Sequence, residues 1–388
     1  MSASDNSGHF EESQEGRYCP SCGRYVGHHS LCPYCGARVK VRVSLKVLAI
    51  ISLILAVSGV IAIYFAAHSK APTVLVEQIT PEMNYARVRV VGYVVSAPYY
   101  DDISGRLSFR IVDLNWTYNE YFNTSNIIVN VYPPTSLELI RLGRIPVLGD
   151  KVEVVGTLKL RGYIAMAINY EEDLNILREA PVSVSIDEIA NNWGSMIGKS
   201  VTVDGWVVEY SNYSGMLLLK IKDYYSTTQY KLSVYIPEIV YKWLGNMTDF
   251  FLGDKIEITG NIWEYRGEPE LVPWNASSIV LIEKLEIMPL AEILANTSFY
   301  GEANVIVMVN VTVVGYHPTY HNIVYVTDSS TASQVTIFID WEVWDSLGTE
   351  AKQKLNMIGF NFVTIGMCTF YKSSFEIAVY DPSWLILG

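Results

Sequence analysis

Four of the chain's five cysteines fall within residues 19–35 of 388. They read Cys19-Pro-Ser-Cys22-Gly and Cys32-Pro-Tyr-Cys35-Gly, with nine residues between Cys22 and Cys32. Two residues between paired cysteines let both thiolates face one ion from a tight turn. The glycine after each pair permits the left-handed backbone that aims amides at the sulfurs. Four thiolates in tetrahedral array suit Zn²⁺ in a closed, structural site, and the same donor set also accepts iron. A redox dithiol would need a single pair in a strand-helix context, and neither is present. His28 and His29 lie in the loop between the pairs and read as solvated. So short a segment cannot bury a core, so metal binding and folding are expected to be one event.

Other chemistry-bearing residues are sparse. Residues 71–316 contain neither Cys nor His, which rules out a disulfide framework there. His317 and His321 flank Pro318 and are the candidate ligand site of the distal chain. A satisfied turn is the competing reading, because no acidic or Cys partner lies near them in sequence. Gly194-Ser-Met-Ile-Gly198-Lys199-Ser200 imitates a phosphate loop but is one residue short and runs into a strand instead of a helix. Cys368 sits in an apolar strand and reads as a small core residue. Tyr99, Tyr100, Tyr224, Tyr225, Tyr230 and Tyr316 mark loops where rings could stack on a sugar or a base, or cover barrel ends and seams.

What positions these residues is divided by one uncharged apolar run, Val47 to Ala67. At about 1.5 Å per residue it makes a helix of roughly 31 Å, the thickness of a bilayer's hydrocarbon core. Arg38, Lys40, Arg42 and Lys46 crowd its amino-terminal flank, which predicts a cytoplasmic N-terminus and an extracytoplasmic remainder. A cleaved signal peptide is the alternative, but 46 residues with a metal motif precede the run. Seven sequons follow it and none precedes it: Asn115, Asn123, Asn212, Asn246, Asn275, Asn296 and Asn310. Asn310 lies within an apolar strand-like stretch and is expected to stay unmodified.

Charge follows the same division. Residues 1–46 hold six basic and four acidic residues, whereas the rest holds 22 basic and 36 acidic. A surface that acidic repels phosphate backbones, so no nucleic-acid partner is expected for the distal part.

Residues 74–388 repeat at roughly 105 residues, a domain-sized period. The first copy runs through Arg87–Val95, Leu107–Asp113, Ile127–Tyr132, Leu148–Leu158 and Tyr163–Ile168 as alternating, strand-like segments. The second repeats them at Val201–Val208, Leu217–Asp223, Leu232–Ile236 and Leu252–Ile262, with Gly267 again breaking the last pair. The third keeps Ile323–Asp328, Val335–Ile339 and Ile358–Gly366 but lacks the Asp after Gly359. In each copy a glycine opens the fourth strand and another follows seven residues later: 149 and 156, 253 and 260, 359 and 366. Such glycines let a strand bend and close a small barrel. Leu137–Leu142, Ile239–Leu244 and Val343–Leu355 read as a helix plugging each barrel's open end.

Five strands with a helix between the third and fourth resemble the OB-fold. The double CPxCG knuckle resembles the short zinc ribbon. A membrane anchor followed by such a barrel, from Gly92 through Gly156 with Phe109-Arg-Ile-Val-Asp113 as second strand, also resembles the haem chaperone of cytochrome c maturation. That family attaches haem through a histidine near the barrel's end; Ala167-Ile-Asn-Tyr-Glu-Glu172 has none, so the fold is implied and the haem site is not.

The expected chain is therefore mainly β, with three tandem five-stranded OB-like barrels after a single transmembrane helix and an N-terminal zinc ribbon. Its segments are a disordered tail (1–16), ribbon (17–37), basic juxtamembrane stretch (38–46), transmembrane helix (47–67) and barrels at 74–179, 180–285 and 286–388. The expected function is a non-enzymatic envelope scaffold or recognition protein of the cell membrane. The ribbon would dock a protein partner on the cytoplasmic side, and the barrels would meet a protein or glycan outside. A glycan or peptide receptor is the alternative, as is a cofactor chaperone or enzyme using the third barrel.

Overall fold

The computed structural model describes residues 17–27, 29–39, 45–68, 71–115, 120–213, 215–226, 228–243 and 249–388. The expected tail at 1–16, His28, Asn246 and most of the juxtamembrane stretch lie outside them. The chain divides into two compact units, residues 1–70 and 71–388.

In the first unit, a hairpin pairs Arg17–Tyr18 with Tyr25–Gly27. Its core is Cys19, Val26, Cys32 and Val39, so two cysteines do the work of apolar side chains. A helix spans Leu45–His68. Its side chains are described over residues 47–62 and all are exposed. Among the described residues no helix is long and apolar enough to cross a membrane. A full span would need the turns on either side, whose side chains lie outside the described residues.

The second unit is three closed five-stranded barrels. In the first, Arg87–Val94 pairs antiparallel with both Arg106–Asp113 and Lys151–Leu160. Asn126–Val131 continues from the second strand and runs parallel to Ile164–Ile168, which returns to the fourth. The strand order 1-2-3-5-4-1 leaves no open edge. The second barrel repeats it with Ser200–Tyr213, Met216–Lys222, Lys231–Ile236, Lys255–Tyr265 and Glu268–Pro273. The third does so with Ile306–Tyr316, Ile323–Asp328, Thr331–Ile339, Asn361–Tyr371 and Ser374–Val379. Alternation along each strand sends one set of side chains inward; in Lys151–Leu160 the inward set includes Val152, Val154 and Leu158, all wholly buried.

The fourth strands start later than expected. Gly149, Gly253 and Gly359 have φ of +84°, +87° and +88°, a left-handed turn in which a strand cannot begin. The second glycine of each pair serves close approach. A Cβ on Gly260 would stand 2.2 Å from the Val272 carbonyl oxygen on the fifth strand. The plugs are Thr135–Arg141, Glu238–Trp243 and, in the third barrel, two helices, Trp341–Ser346 and Thr349–Leu355. The continuous helix expected at Val343–Leu355 is thus broken, at Leu347 and Gly348, where Leu347 turns extended. A helix ahead of each of the last two barrels, Ile186–Asn192 and Leu290–Ala295, buries Ile186, Ile189, Leu290 and Ile293. Both escaped the sequence reading, being too short for a clear period.

Candidate metal centre and barrel seams

The two knuckles superpose in their hydrogen bonding. Gly23 donates to the Cys19 carbonyl and Gly36 to that of Cys32, each at 2.9 Å, with φ of +69° and +70°. The Ser21 amide donates to Cys19 Sγ at 3.4 Å. All four sulfurs lie within 4.8 Å of one another, with Cys19 to Cys35 at 3.5 Å and Cys22 to Cys32 at 3.6 Å. Four sulfurs at about 2.3 Å from a central Zn²⁺ stand about 3.8 Å apart, so this donor set fits the ion. Cys19 and Cys32 are buried, Cys22 and Cys35 exposed.

The backbone amide of Cys22, aided by that of Ser21, pulls the Cys19 thiol down to about 6. At Cys35 the Ala37 amide pulls down too, but contact with the other three thiols, Cys19 foremost, together with burial drives it up to about 12. The first proton leaves readily and the last resists, because thiolates this close repel. A dication among them removes that resistance.

Polar chemistry in the second unit gathers where barrels meet. Asp150, in the turn opening the first barrel's fourth strand, is wholly buried. It accepts from the Val147 amide at 2.7 Å, from Arg178 Nε and Nη2 at 2.8 and 2.6 Å, and from Asn261 Nδ2 of the second barrel at 2.8 Å. Trp274 Nε1 donates to Asn261 Oδ1 at 2.8 Å, and the Arg178 guanidinium lies over the Trp274 ring at 5.0 Å. Every member has a partner, the condition under which a buried polar cluster specifies one arrangement.

Between the second and third barrels, Asp254 repeats this role with backbone donors. It accepts from Phe251 within its own turn and from Leu285 of the linker, both at 2.7 Å. Lys222 is buried and donates to the Ala303 carbonyl at 2.6 Å; burial holds its ammonium below the usual lysine range. The Tyr224 hydroxyl accepts from the Ile306 amide at 3.0 Å. In the third barrel the matching position is Phe360, which stacks on Phe362. Tyr224 is among the tyrosines that the sequence marks for either a ligand or a seam, and the other seam residues were missed by sequence reading. The repeated Leu-Gly-Asp was visible, but read only as a strand opening.

The tyrosines divide. Tyr224 is buried at a seam, and Tyr225 stacks on Phe299 with centroids at 5.2 Å. Tyr100 meets Trp243 of the second barrel's plug edge-on. Tyr316, Tyr320 and Trp341 form an exposed cluster with the two histidines. His317 Nδ1 accepts from the Thr319 and Tyr320 amides at 3.2 and 3.0 Å, and His317 and His321 contact Tyr320 and Tyr316 respectively. The turn thus takes up one imidazole nitrogen of His317. Asn115, Asn123, Asn212 and Asn296 are exposed, and Asn275 is half-buried, its Oδ1 capping a turn at Ser278. Asn310 faces solvent from mid-strand, paired with Val363. Cys368 is buried, which pushes its thiol up. In the phosphate-loop imitation, the Gly198 amide donates to Ile262 and that of Lys199 to Met196, so neither is free for an anion.

No family description and no curated protein matches the chain. Among solved structures, similarity extends to the OBody AM3L09 bound to hen egg-white lysozyme, at 21% identity over 23% of this chain and 87% of that one, TM-score 0.18. The S. pombe Stn1-ten1 complex matches at 22% identity, 21% of this chain and 57% of that one, TM-score 0.18. The tetrameric p202 HIN2 matches at 13% identity, 51% and 94%, TM-score 0.21. Scores this low carry no argument about function. Strand order establishes three OB-fold-like barrels, and the thiol geometry establishes a four-cysteine cluster fit for a metal such as zinc.

Proposed function

We propose that the chain is a non-enzymatic, single-pass membrane protein: a cytoplasmic zinc-ribbon docking module, a membrane anchor and an extracytoplasmic arm of three OB-like barrels acting as an envelope scaffold or recognition element. One observation carries this reading. The helix Leu45–His68 is apolar around its circumference, yet every side chain described on it is exposed. Such a helix needs an apolar cover, and its 24-residue backbone extends roughly 36 Å, a length comparable to a bilayer core. The basic residues before it support a cytoplasmic side for the ribbon. Partner-satisfied seams support an arm that holds its barrels in fixed order, as a scaffold requires.

The test is a chain tagged at both ends and expressed in cells. Alkaline carbonate should leave it in the membrane, and protease added to intact cells should remove the C-terminal tag alone. Carbonate release, or loss of the N-terminal tag from intact cells, refutes the reading. A second reading, an external glycan or peptide receptor, is favoured by the exposed cluster of Tyr316, Tyr320 and Trp341. Ligand binding by the intact chain that is lost in Tyr320→Ala with Trp341→Ala would establish it. A cofactor chaperone or enzyme on the third barrel would need His317 and His321. Its support is reduced by the amides already occupying His317 Nδ1.

A further inference from the structure

We propose that the cleft between the first and second barrels binds a small oxyanion of the phosphate type. A cavity of about 180 Å³ opens at this seam, bordered by Lys151 from the first barrel, Arg178 from the linker and Lys199 from the approach to the second. Asp150 and Glu179 also border it. In a chain of net charge −12, cations here outnumber carboxylates by three to two.

Asp150 is paired with Arg178, so the two charges offset each other and Lys151 and Lys199 stand against Glu179 alone. Arg178 spends Nε and Nη2 on that pair and rests on the Trp274 ring, which fixes its plane and leaves Nη1 uncommitted to Asp150. Neither Lys151 nor Lys199 forms an ion pair among the described residues. Three cations from three consecutive pieces of chain therefore border one hollow, two of them without a counter-charge.

Size and wall chemistry set the ligand class. The cavity is smaller than the roughly 300–1,000 Å³ of sites for drug-sized molecules. Charged groups and the Tyr93 and Ser200 side chains make up much of its wall. The Gly198 and Lys199 amides are spent within the fold and are not available to an anion. Gly198 instead serves packing: its φ is +74°, and a Cβ there would stand 3.1 Å from the Tyr93 ring of the first barrel. Recognition then falls to the side-chain cations, which form charge-assisted bonds to a compact oxyanion from both barrels at once. A bound anion would brace the seam.

The experiment titrates the detergent-solubilised full chain with inorganic phosphate by calorimetry and ³¹P line broadening, against sodium chloride at matched ionic strength. Saturable binding of one phosphate per chain is expected, and Lys199→Gln should weaken it roughly tenfold, as loss of one charged hydrogen bond does. Lys199 is exposed, so this variant should keep its fold, checked by circular dichroism. Lys199→Arg should retain binding. Lys159→Gln, a first-barrel lysine over the Tyr132 ring and away from the cleft, should bind as the parent does. Absence of saturable binding, wild-type affinity in Lys199→Gln, or equal weakening in Lys159→Gln would each overturn the proposal.

Discussion

Asp150→Ala is the sharpest probe of what joins the barrels. The substitution takes away a carboxylate that accepts four hydrogen bonds at 2.6–2.8 Å from three separate parts of the chain. It leaves the Arg178 guanidinium, 21% exposed, over the Trp274 ring without its counter-charge, and the Val147 amide without an acceptor. Breaking a buried pair from one side costs about 3–5 kcal/mol, and Arg178 can recover some of this by turning toward solvent, so about 3 kcal/mol is expected. For a unit as long as residues 71–388 each kcal/mol moves the melting midpoint by about 1.5 °C, giving a fall of roughly 4–5 °C. Arg178→Ala should cost about as much, roughly 3 kcal/mol, because it strands a wholly buried carboxylate that keeps only the Val147 amide and Asn261. The double variant should then lose less than the sum, with a coupling of about 1–3 kcal/mol. Urea unfolding of residues 71–388, followed by circular dichroism and tryptophan fluorescence, measures all three. An Asp150→Ala variant within about 0.5 kcal/mol of the parent, or strictly additive single variants, would refute the reasoning.

Glu270 is 8% exposed on the second barrel, and burial raises its carboxyl to about 7. The folded state therefore binds the proton more tightly than the unfolded one, so stability is greatest below about pH 4.3 and is lost as pH rises through 7. Glu270→Gln should stabilise by on the order of 2 kcal/mol at pH 8 and flatten this dependence; an unchanged melting profile from pH 5 to 8 would contradict it. Gly260→Ala places a Cβ 2.2 Å from a backbone oxygen that cannot step aside, and should cost about 3 kcal/mol or more, read as a lower urea midpoint. Chelating the metal, or lowering the pH enough to protonate the thiolates, should abolish the ribbon's fold and leave the melting of residues 71–388 unchanged, both followed by circular dichroism. His317→Ala removes the imidazole nitrogen that accepts from two backbone amides in an exposed turn and should lower stability by about 1 kcal/mol in the same urea assay.

Much of the architecture was legible before folding was considered. The knuckles could be read because a tetrahedral thiolate site needs its ligands at short, fixed spacings, which are local. The barrels could be read because strand alternation has a period of two and the pattern recurs three times. Strand starts were misplaced by a few residues, since Leu148-Gly149-Asp150 alternates like a strand until the positive φ at Gly149 is known. The broken plug of the third barrel escaped for the same reason: Val343–Leu355 is helical in composition, and only the packing of the two pieces decides that Leu347 turns extended.

Sequence by itself determined the four-thiol site, the apolar helix and the repeat of three, because each is written in neighbouring residues. Tertiary structure alone decided that Asp150, Arg178, Asn261 and Trp274 share one cluster, since Asn261 stands 111 residues beyond its carboxylate partner. It also decided that Gly198-Lys199-Ser200 lies along a cleft instead of cradling a phosphate with its amides. Spacing encodes what a turn or a strand will do; which distant charges come to face each other depends on how closed barrels stack, and no local pattern carries that.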